Sequence, residues 1–558
     1  MSEVRPRRGI GQVENSRSDS PRQESSTNLG RASISMATGT LVSRILGLVR
    51  TSMLSAVVAQ SLAADAFTYA NTLPNFFFIL LSAGVLNAVL IPQITKAMKE
   101  GSRGEDFINR LLTAAFAVII VVTVLTTALS PVLVRALSGL SGSAVHLSIL
   151  FAYVCMPQIA FYGLYAVLGN VLNARGRFAA FMWTPALANV VQIVGQAVFL
   201  ILWSKQTDPS LWTPAMVAVL AGSSTLGIVV QGIALIPPLR ASGFRYRVRW
   251  GLSGMRSISR MTAYTLVSLV VSQAGGLFTS WVLNYVRDRS NQETIASVAT
   301  SQNAFLIFML PHSLITVSIL TALFPSLSRA WQGTRLREVR SLLIKGMQIS
   351  SVGIIPASAV VIALAEPIVR TIFVGLSDLE VHNTAVVLSV MMSGTLWFGI
   401  TTLQQRYCFA AEAGKAYFSY QLIVTGMQII SGFVALWMVP DRYAVVTIAA
   451  GQTIGNALAG IVFMVVSHLQ LNGVGLAATI RLWVRLSLAC IPAMLVSHFI
   501  GAYLSKLIHG WIGNALACCL GGLAFVGLFY AFCRFFKIAE LDSLLRPVMK
   551  KLSRLRRR

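Results

Sequence analysis

The chain carries two arginines, Arg44 and Arg50, inside an apolar stretch at residues 33–59. At about 1.5 Å per residue, Arg44 lies roughly 16 Å along a helix that begins at residue 33, near the middle of a bilayer. The two side chains would point about 120° apart around the helix and could flank one cavity. A charge at this depth costs roughly 2.5–3.5 kcal/mol and normally faces water-filled space. Because a guanidinium pairs bidentately with phosphate, these residues predict a binding site for an anionic substrate.

Other interpretations of these positions stay open at the level of sequence. Arg44 and Arg50 could instead be buried against Asp65 or backbone carbonyls. Asp65 itself could be a counter-ion or a helix cap. Arg406 is either a third cation of the site or an anchor at the inner leaflet. His312 lies in the middle of its stretch and is either packed through hydrogen bonds or a proton carrier.

The elements that hold these residues must cross a membrane. Of 558 residues, 55% are hydrophobic and 11% are charged, against roughly 25% charged in soluble domains. A bilayer span takes about 20 apolar residues, and lipid requires each segment to satisfy its own backbone groups. The sequence therefore predicts an all-α polytopic membrane protein with fourteen transmembrane helices. The apolar stretches are 33–59, 66–95, 107–136, 146–172, 178–204, 211–238, 257–286, 294–327, 343–374, 383–411, 416–439, 443–469, 480–504 and 511–536.

The net charge of +26 follows from this topology. With the N-terminus in the cytoplasm, about four fifths of the Lys and Arg residues fall on the cytoplasmic side, as the positive-inside rule requires. We therefore expect both termini in the cytoplasm and no nucleic-acid partner. Residues 1–32 are predicted to be a disordered cytoplasmic tail, and residues 537–558 a basic tail attracted to anionic membrane lipids. The outer side would receive Arg135, Lys205, Arg287, Arg289, Arg442 and Lys506.

An internal repeat divides the chain. Pro92 and Pro325 are each followed four residues later by a basic residue, Lys96 and Arg329. Six spans separate the two segments, and an even number keeps the same orientation, so the repeat is parallel. Parallel repeats are typical of transporters that rock two halves around a central site. We predict an N-lobe at 33–239 (helices 1–6) and a C-lobe at 240–471 (helices 7–12), with helices 13–14 at 472–536 as an appendage.

Motifs for catalysis are missing. The sequence contains no GxxxxGK[ST] or HExxH, and the outer loops are too short for a catalytic domain. The six cysteines lie in apolar stretches without metal-ligand spacing and are interpreted as small buried hydrophobes. Glu366 and Arg370, spaced i,i+4, predict a self-neutralising pair. We therefore expect neither an enzyme nor a protein that holds a cofactor or a metal.

Several local patterns stand out along the chain. They are Ser43-Arg44-Ile45-Leu46-Gly47-Leu48-Val49-Arg50, Asp65-Ala66-Phe67, Leu73-Pro74-Asn75, Leu172 to Phe178 with Pro185 and Asn189, and Phe324-Pro325-Ser326-Leu327-Ser328. Together these patterns resemble a known family, the bacterial MurJ (MviN) lipid II flippases of the MOP exporter superfamily. The resemblance extends over about residues 33–536 and implies fourteen helices. It implies transport of lipid II, the undecaprenyl-diphosphate-linked disaccharide-pentapeptide, from the inner to the outer leaflet of the cytoplasmic membrane for peptidoglycan synthesis. Cell-wall synthesis proteins are then expected as partners.

The resemblance also assigns roles. It implies that Arg44 and Arg50 line a cationic cavity, that Asp65 lines or gates it, and that helices 13–14 form a groove for the lipid tail. Phe78, Ala83, Phe305 and Leu306 stand where relatives carry charged residues. Polar residues of the cavity are then predicted to compensate by hydrogen bonding. These are Asn75, Gln302, Asn303 and His312.

Three alternatives remain on the sequence alone. The first is a flippase for another polyprenyl-diphosphate-linked glycan. The second is a multidrug exporter of the same superfamily, although cationic drugs would be repelled by Arg44 and Arg50. The third is a membrane glycosyltransferase acting on the same lipid, which would need catalytic acids that we do not find.

Overall fold

A computed structural model describes residues 20–82, 102–175, 177–244, 246–251, 260–290 and 297–538. Over these residues the protein is all-helical. The predicted basic tail beyond residue 538 and the repeat signature around Pro92 lie outside the described residues. The α-helices are α1 Ser20–Val58, α2 Leu62–Leu81, α3 Ser102–Ala128, α4 Ser130–Leu137, α5 Gly142–Cys155, α6 Gln158–Ala174, α7 Phe178–Trp203, α8 Pro214–Ile233, α9 Ile236–Ala241, α10 Arg260–Ser290, α11 Val298–Pro311, α12 Ser318–Gln332, α13 Leu336–Ala363, α14 Ala365–Ile372, α15 Asp378–Ser393, α16 Thr395–Ala410, α17 Gly414–Trp437, α18 Ala444–Gln470, α19 Leu476–Leu507 and α20 Trp511–Phe535.

Within the described residues, 12 helical segments are long and apolar enough to cross a membrane. The pair α15–α16, bent by 48°, makes a thirteenth if it is one span. These segments coincide with every predicted stretch except the second. That stretch is described only as far as residue 82, and its described helix α2 carries Asp65, Asn71 and Asn75, which lower its hydropathy. The protein is thus a polytopic helical membrane protein with 12–13 candidate spans.

Helix α1 begins earlier than we predicted. We expected residues 1–32 to be disordered, yet the helix starts at Ser20. Pro21 follows Ser20 at the first helical position, where its missing N–H removes no hydrogen bond of the helix. Residues 1–19 lie outside the described part of the chain.

Each hydrophobic core draws nearly all of its buried residues from one part of the chain. We call residues 20–251 the first half and residues 260–538 the second half. One core of the first half is built around aromatic rings. The ring of Phe151 packs against those of Phe67 and Trp212, each at a centroid distance of 5.2 Å. In the second half, one core surrounds Leu388 and Phe373, and another surrounds Met347 and Phe463. Because lipid supplies no hydrophobic drive between helices, tight packing of such rings and small residues holds the bundle together.

Helices α19 and α20 pack against each other and against α13. Gly521 permits the close approach, since a Cβ there would lie 2.8 Å from Leu364 Cδ2 and 3.2 Å from the Ser497 carbonyl oxygen. The Ser497 hydroxyl donates to the Gly521 carbonyl at 2.9 Å. On α20, Cys519 is exposed and Cys518 half-buried, which corrects the prediction that all six cysteines are buried. On its exposed face this helix carries large apolar side chains, among them Leu523, Val526 and Phe535.

The predicted Glu366–Arg370 pair is also wrong. Arg370 instead pairs with Asp378 at 2.6 Å, and Glu366 pairs with His382 at 2.8 Å. The chain turns through Gly375, whose φ of 92° suits glycine. This turn brings the start of α15 beside α14, so each charge finds a closer partner across the turn than along its own helix.

Candidate functional site

A buried ion pair joins the two halves. Asp65 on α2 lies 2.5 Å from Arg287 at the end of α10, and the side chains are 0% and 1% exposed. The second carboxylate oxygen of Asp65 accepts the backbone N–H of Ala299 at 3.0 Å, at the start of α11. Asp65 therefore is a counter-ion and also caps a helix, but the helix belongs to the other half. Its own helix α2 is capped by Ser61.

Gln60 extends this connection. Its side chain donates to Thr384 at 2.7 Å and accepts from Thr300 at 2.6 Å. Its backbone carbonyl accepts from Arg287 at 2.6 Å, and its backbone N–H donates to Glu380 at 2.8 Å. The short turn between α1 and α2 is thereby fixed to three helices of the second half.

Further contacts between the halves cluster at the same end of the bundle, which we call the closed end. The Ser141 hydroxyl donates to Asp288, and the Asn284 amide donates to the Ser138 carbonyl at 2.7 Å. Lys205 donates to the Gly375 carbonyl at 3.1 Å. All of these groups lie at helix ends or in the turns between them. The closed end is thus sealed by both buried and exposed polar contacts.

A cavity of about 200 Å³, here the central cavity, lies directly below the closed end. It is enclosed by α1 and α2 from the first half and by α11 from the second. Three predicted residues, Arg50, Gln302 and Asn303, line it together. The other polar residues of its wall are Thr51, Ser55, Thr68, Asn71 and Thr72.

Arg50 is held by a polar network within the first half. Its guanidinium donates to the Gln192 side-chain oxygen on α7 at 3.4 Å. The Ser224 hydroxyl contacts the same oxygen and donates to Asn71 at 2.8 Å. Gln158 also donates to Asn71, at 3.2 Å. Within the described chain no carboxylate pairs with Arg50, so its charge is compensated only by dipoles and remains available to an anion.

Asn71 is a residue of the cavity that we did not predict. A signal for it exists, because Thr68, Asn71, Thr72 and Asn75 follow Asp65 at spacings that give α2 a polar stripe. Sequence alone could not separate this stripe from ordinary packing, since two of its members are threonines.

The remaining predicted residues lie apart from the central cavity. Arg44 is half-buried on α1, about 9 Å from Arg50 along the helix axis, and bonds to no other described side chain. Asn75 is exposed on α2. Arg406 stacks over the ring of Phe324, with its guanidinium carbon 5.4 Å from the ring centroid.

His312 is buried in a single π-helical segment, His312–Val317, that follows Pro311. Its ring lies 4.5 Å from that of Phe398, and its Nε2 is 3.5 Å from the Thr402 hydroxyl. Proline lacks the N–H that continues the α-helical ladder, and π segments commonly form at such interruptions. Its Nδ1 is buried and has no hydrogen-bond partner among the described residues. His312 does not line the central cavity.

A helical membrane bundle with a polar cavity below a sealed end is an arrangement typical of membrane transporters. The structure superposes on a multidrug resistance MATE family transporter of the MOP superfamily in an inward-facing conformation, with a TM-score of 0.59 and 16% identity over 79% of this chain and 98% of that one. It superposes better on a structure described as lipid II flippase MurJ, inward closed conformation. The TM-score is then 0.70, with 18% identity over 90% and 99% of the two chains. At these identities the likeness establishes the fold.

The family is established by sequence. The profile of the family described as lipid II flippase MurJ matches residues 54–520. A Vibrio cholerae protein named as a probable lipid II flippase MurJ is 25% identical over 429 residues, which are 74% of this chain and 78% of that protein. A Rhizobium tropici protein of the same name is 24% identical over 496 residues, 86% of this chain and 87% of that protein. The chain belongs to the MurJ lipid II flippase family, and it is a transporter and not an enzyme.

Proposed function

We propose that this chain carries lipid II from the inner to the outer leaflet by alternating access, and that Arg50 binds the diphosphate during transport. The observation that carries the proposal is the position of Arg50. It lines a cavity directly below a sealed end and has no described carboxylate partner. A diphosphate offers the bidentate acceptors that a guanidinium prefers. Arg44, about one and a half turns away on the same helix, is proposed to guide the same anion into the cavity.

The proposed topology has fourteen spans, and the second is the apolar stretch 66–95, whose described part lies in α2. Both termini are cytoplasmic, which makes the closed end the outer side. The first and second halves are proposed to be the N-lobe and C-lobe of a parallel repeat, and α19–α20 the wall of a groove for the lipid tail. In this scheme the headgroup enters the central cavity from the cytoplasmic side while the polyprenyl chain remains in lipid.

The Asp65–Arg287 pair is proposed to act as the outer gate. Two buried charges in contact stabilise one another, whereas removal of one leaves the other without compensation. Opening the outer end must separate the pair and hydrate both charges. The pair therefore stabilises the conformation in which the cavity is sealed from the outside. Substrate binding is proposed to shift the equilibrium towards the open conformation.

This function is tested in a bacterium depleted of its own lipid II flippase. The chain, its Arg50→Ala and Arg44→Ala variants and an Arg135→Ala control would be produced at equal membrane levels. Survival and outer-leaflet lipid II would then be measured. Arg135 is an exposed arginine at the closed end outside the cavity. We expect rescue by the wild type and the control but not by Arg50→Ala, and weak rescue by Arg44→Ala. Failure of well-produced wild type would reject lipid II as the substrate and favour another polyprenyl-diphosphate glycan.

A further inference from the structure

A second and larger cavity, of about 690 Å³, lies at the closed end between α14–α15 and the α19–α20 hairpin. It shares no residue with the central cavity. Pockets of roughly 300–1,000 Å³ typically hold one drug-sized ligand. Because this cavity is separate from the one that Arg50 lines, its occupant need not be the transported substrate.

The cavity wall has a charged part and an apolar side. The charged part carries two cations, Lys506 and Arg370, and two carboxylates, Glu366 and Asp378. Glu366 is already bonded to His382 at 2.8 Å. Lys506 is exposed and makes no ion pair with a described residue. Arg370 pairs with Asp378 at 2.6 Å, but Asp378 is 89% exposed. An exposed ion pair contributes about 0–1 kcal/mol, so a second anion can compete for this guanidinium. The apolar side is formed by Ile362, Ala363, Ala385, Val386, Val390 and Ala502.

Two buried polar atoms at the wall, Ser505 Oγ and Asn514 Oδ1, have no hydrogen-bond partner among the described residues. Asn514 is only 7% exposed, and its amide nitrogen donates to the Gly510 carbonyl at 2.8 Å. A buried polar group left unpaired costs roughly 1–3 kcal/mol. A small side-chain rotation would offer either group to a ligand that carries a hydroxyl or an ammonium.

The helix ends around the cavity carry residues that are typical of a membrane–water interface. Trp511 begins α20 beside it, 58% exposed, and its indole N–H donates to the Thr371 carbonyl at 3.0 Å. Tryptophan concentrates at membrane–water interfaces, where its apolar ring and its N–H are both accommodated. Lys506 and Arg370 likewise occupy the last turns of α19 and α14.

We propose that this cavity binds the headgroup of a glycerophospholipid from the leaflet at the closed end. The phosphate contacts Lys506 and Arg370, a headgroup hydroxyl or ammonium donates to Asn514, and the glycerol with the first acyl carbons covers the apolar side. The bound lipid fills the space between α14–α15 and α19–α20 and so ties the hairpin to the second half. This inference does not depend on lipid II as the transported substrate.

Binding of dioleoylphosphatidylglycerol to the purified full-length chain in detergent, counted by native mass spectrometry, tests the proposal. We compare the wild type, a Lys506→Gln/Arg370→Gln double variant and an Arg135→Gln control. We expect the tightest site to weaken at least ten-fold in the double variant and less than two-fold in the control. Thermal unfolding without added lipid verifies that every variant is folded.

Two further probes identify the chemistry that is recognised. Dioleoylglycerol, which lacks the phosphate, is expected to bind at least ten-fold more weakly than dioleoylphosphatidylglycerol. Inorganic phosphate at the same concentration is expected not to displace the lipid. Unchanged lipid binding in the folded double variant, equal binding of dioleoylglycerol, or displacement by inorganic phosphate would each overturn the proposal.

Discussion

Arg287 Nη1 lies 2.5 Å from Asp65 Oδ2, although 222 residues separate the two in the chain. Both side chains are buried, and the contact joins the end of α10 to the start of α2. A buried pair contributes little net stability, yet loss of one partner costs roughly 3–5 kcal/mol because a charge is then buried alone. The pair is therefore suited to control the equilibrium between a closed and an open conformation of this end.

Neutralising Asp65 is expected to open the closed end. In Asp65→Asn, Arg287 loses the carboxylate beside it. The conformation in which water reaches Arg287 is then favoured over the closed one. Gln302 lines the central cavity and is exposed, so a Gln302→Cys background reports access to the cavity. A membrane-impermeant thiol reagent added outside intact cells is expected to label it at least five-fold faster in Asp65→Asn. Ser141→Ala, which removes only an exposed contact with Asp288, is the matched control. Equal labelling in all three proteins would contradict the gate.

Gln60 is expected to contribute less than the ion pair. Gln60→Ala removes its two side-chain hydrogen bonds, to Thr300 and Thr384, each worth about 0.5–1.5 kcal/mol. Its backbone contacts with Arg287 and Glu380 remain. The same labelling assay should therefore show an increase smaller than that of Asp65→Asn. A larger increase would mean that the side-chain amide, and not the ion pair, holds the end closed.

The geometry of Arg50 is expected to matter as well as its charge. Arg50→Ala removes the charge-assisted bonds to a diphosphate, each worth about 1.5–3 kcal/mol, and should weaken lipid II binding at least ten-fold. Arg50→Lys keeps a cation but loses the bidentate fork and should lie between wild type and Arg50→Ala. Affinity for lipid II in detergent measures both. If Arg50→Lys binds like Arg50→Ala, the charge alone is not what the site requires.

Arg406 is expected to act as a structural anchor. Its guanidinium stacks over Phe324, an interaction worth roughly 0.5–2 kcal/mol. Arg406→Ala should lower the midpoint of thermal unfolding while lipid II affinity changes less than three-fold. Phe324→Leu should lower the midpoint similarly, because it removes the other partner. A loss of lipid II affinity as large as that of Arg50→Ala would instead place Arg406 in the substrate site.

The sequence predicted the helical class, nearly all of the candidate spans and three residues that line the central cavity. Arg50, Gln302 and Asn303 were recognisable because polar side chains within an apolar helix need water or partners. The family was recognisable from several short patterns in a fixed order. The exact start of α1 was not, since helix propensity alone does not mark where a helix leaves the membrane.

Arg287 shows what the sequence could not provide. It lies at the end of an apolar stretch among other arginines, which is typical of a solvated loop residue, and we assigned it to the outer side. Only the fold brings it to Asp65. The wrong pairing of Glu366 with Arg370 has a similar cause, because a turn of the chain supplied partners that spacing along a helix cannot reveal.

The most direct test of the account is transport of lipid II by the purified chain. Liposomes would carry lipid II in the inner leaflet only, and a membrane-impermeant enzyme that cleaves its diphosphate would be added outside. The account predicts that wild type exposes lipid II to cleavage, that Arg50→Ala does so at least ten-fold more slowly, and that Arg135→Ala matches the wild type. Cleavage no faster with the wild type than with empty liposomes, or equally fast with Arg50→Ala, would contradict it.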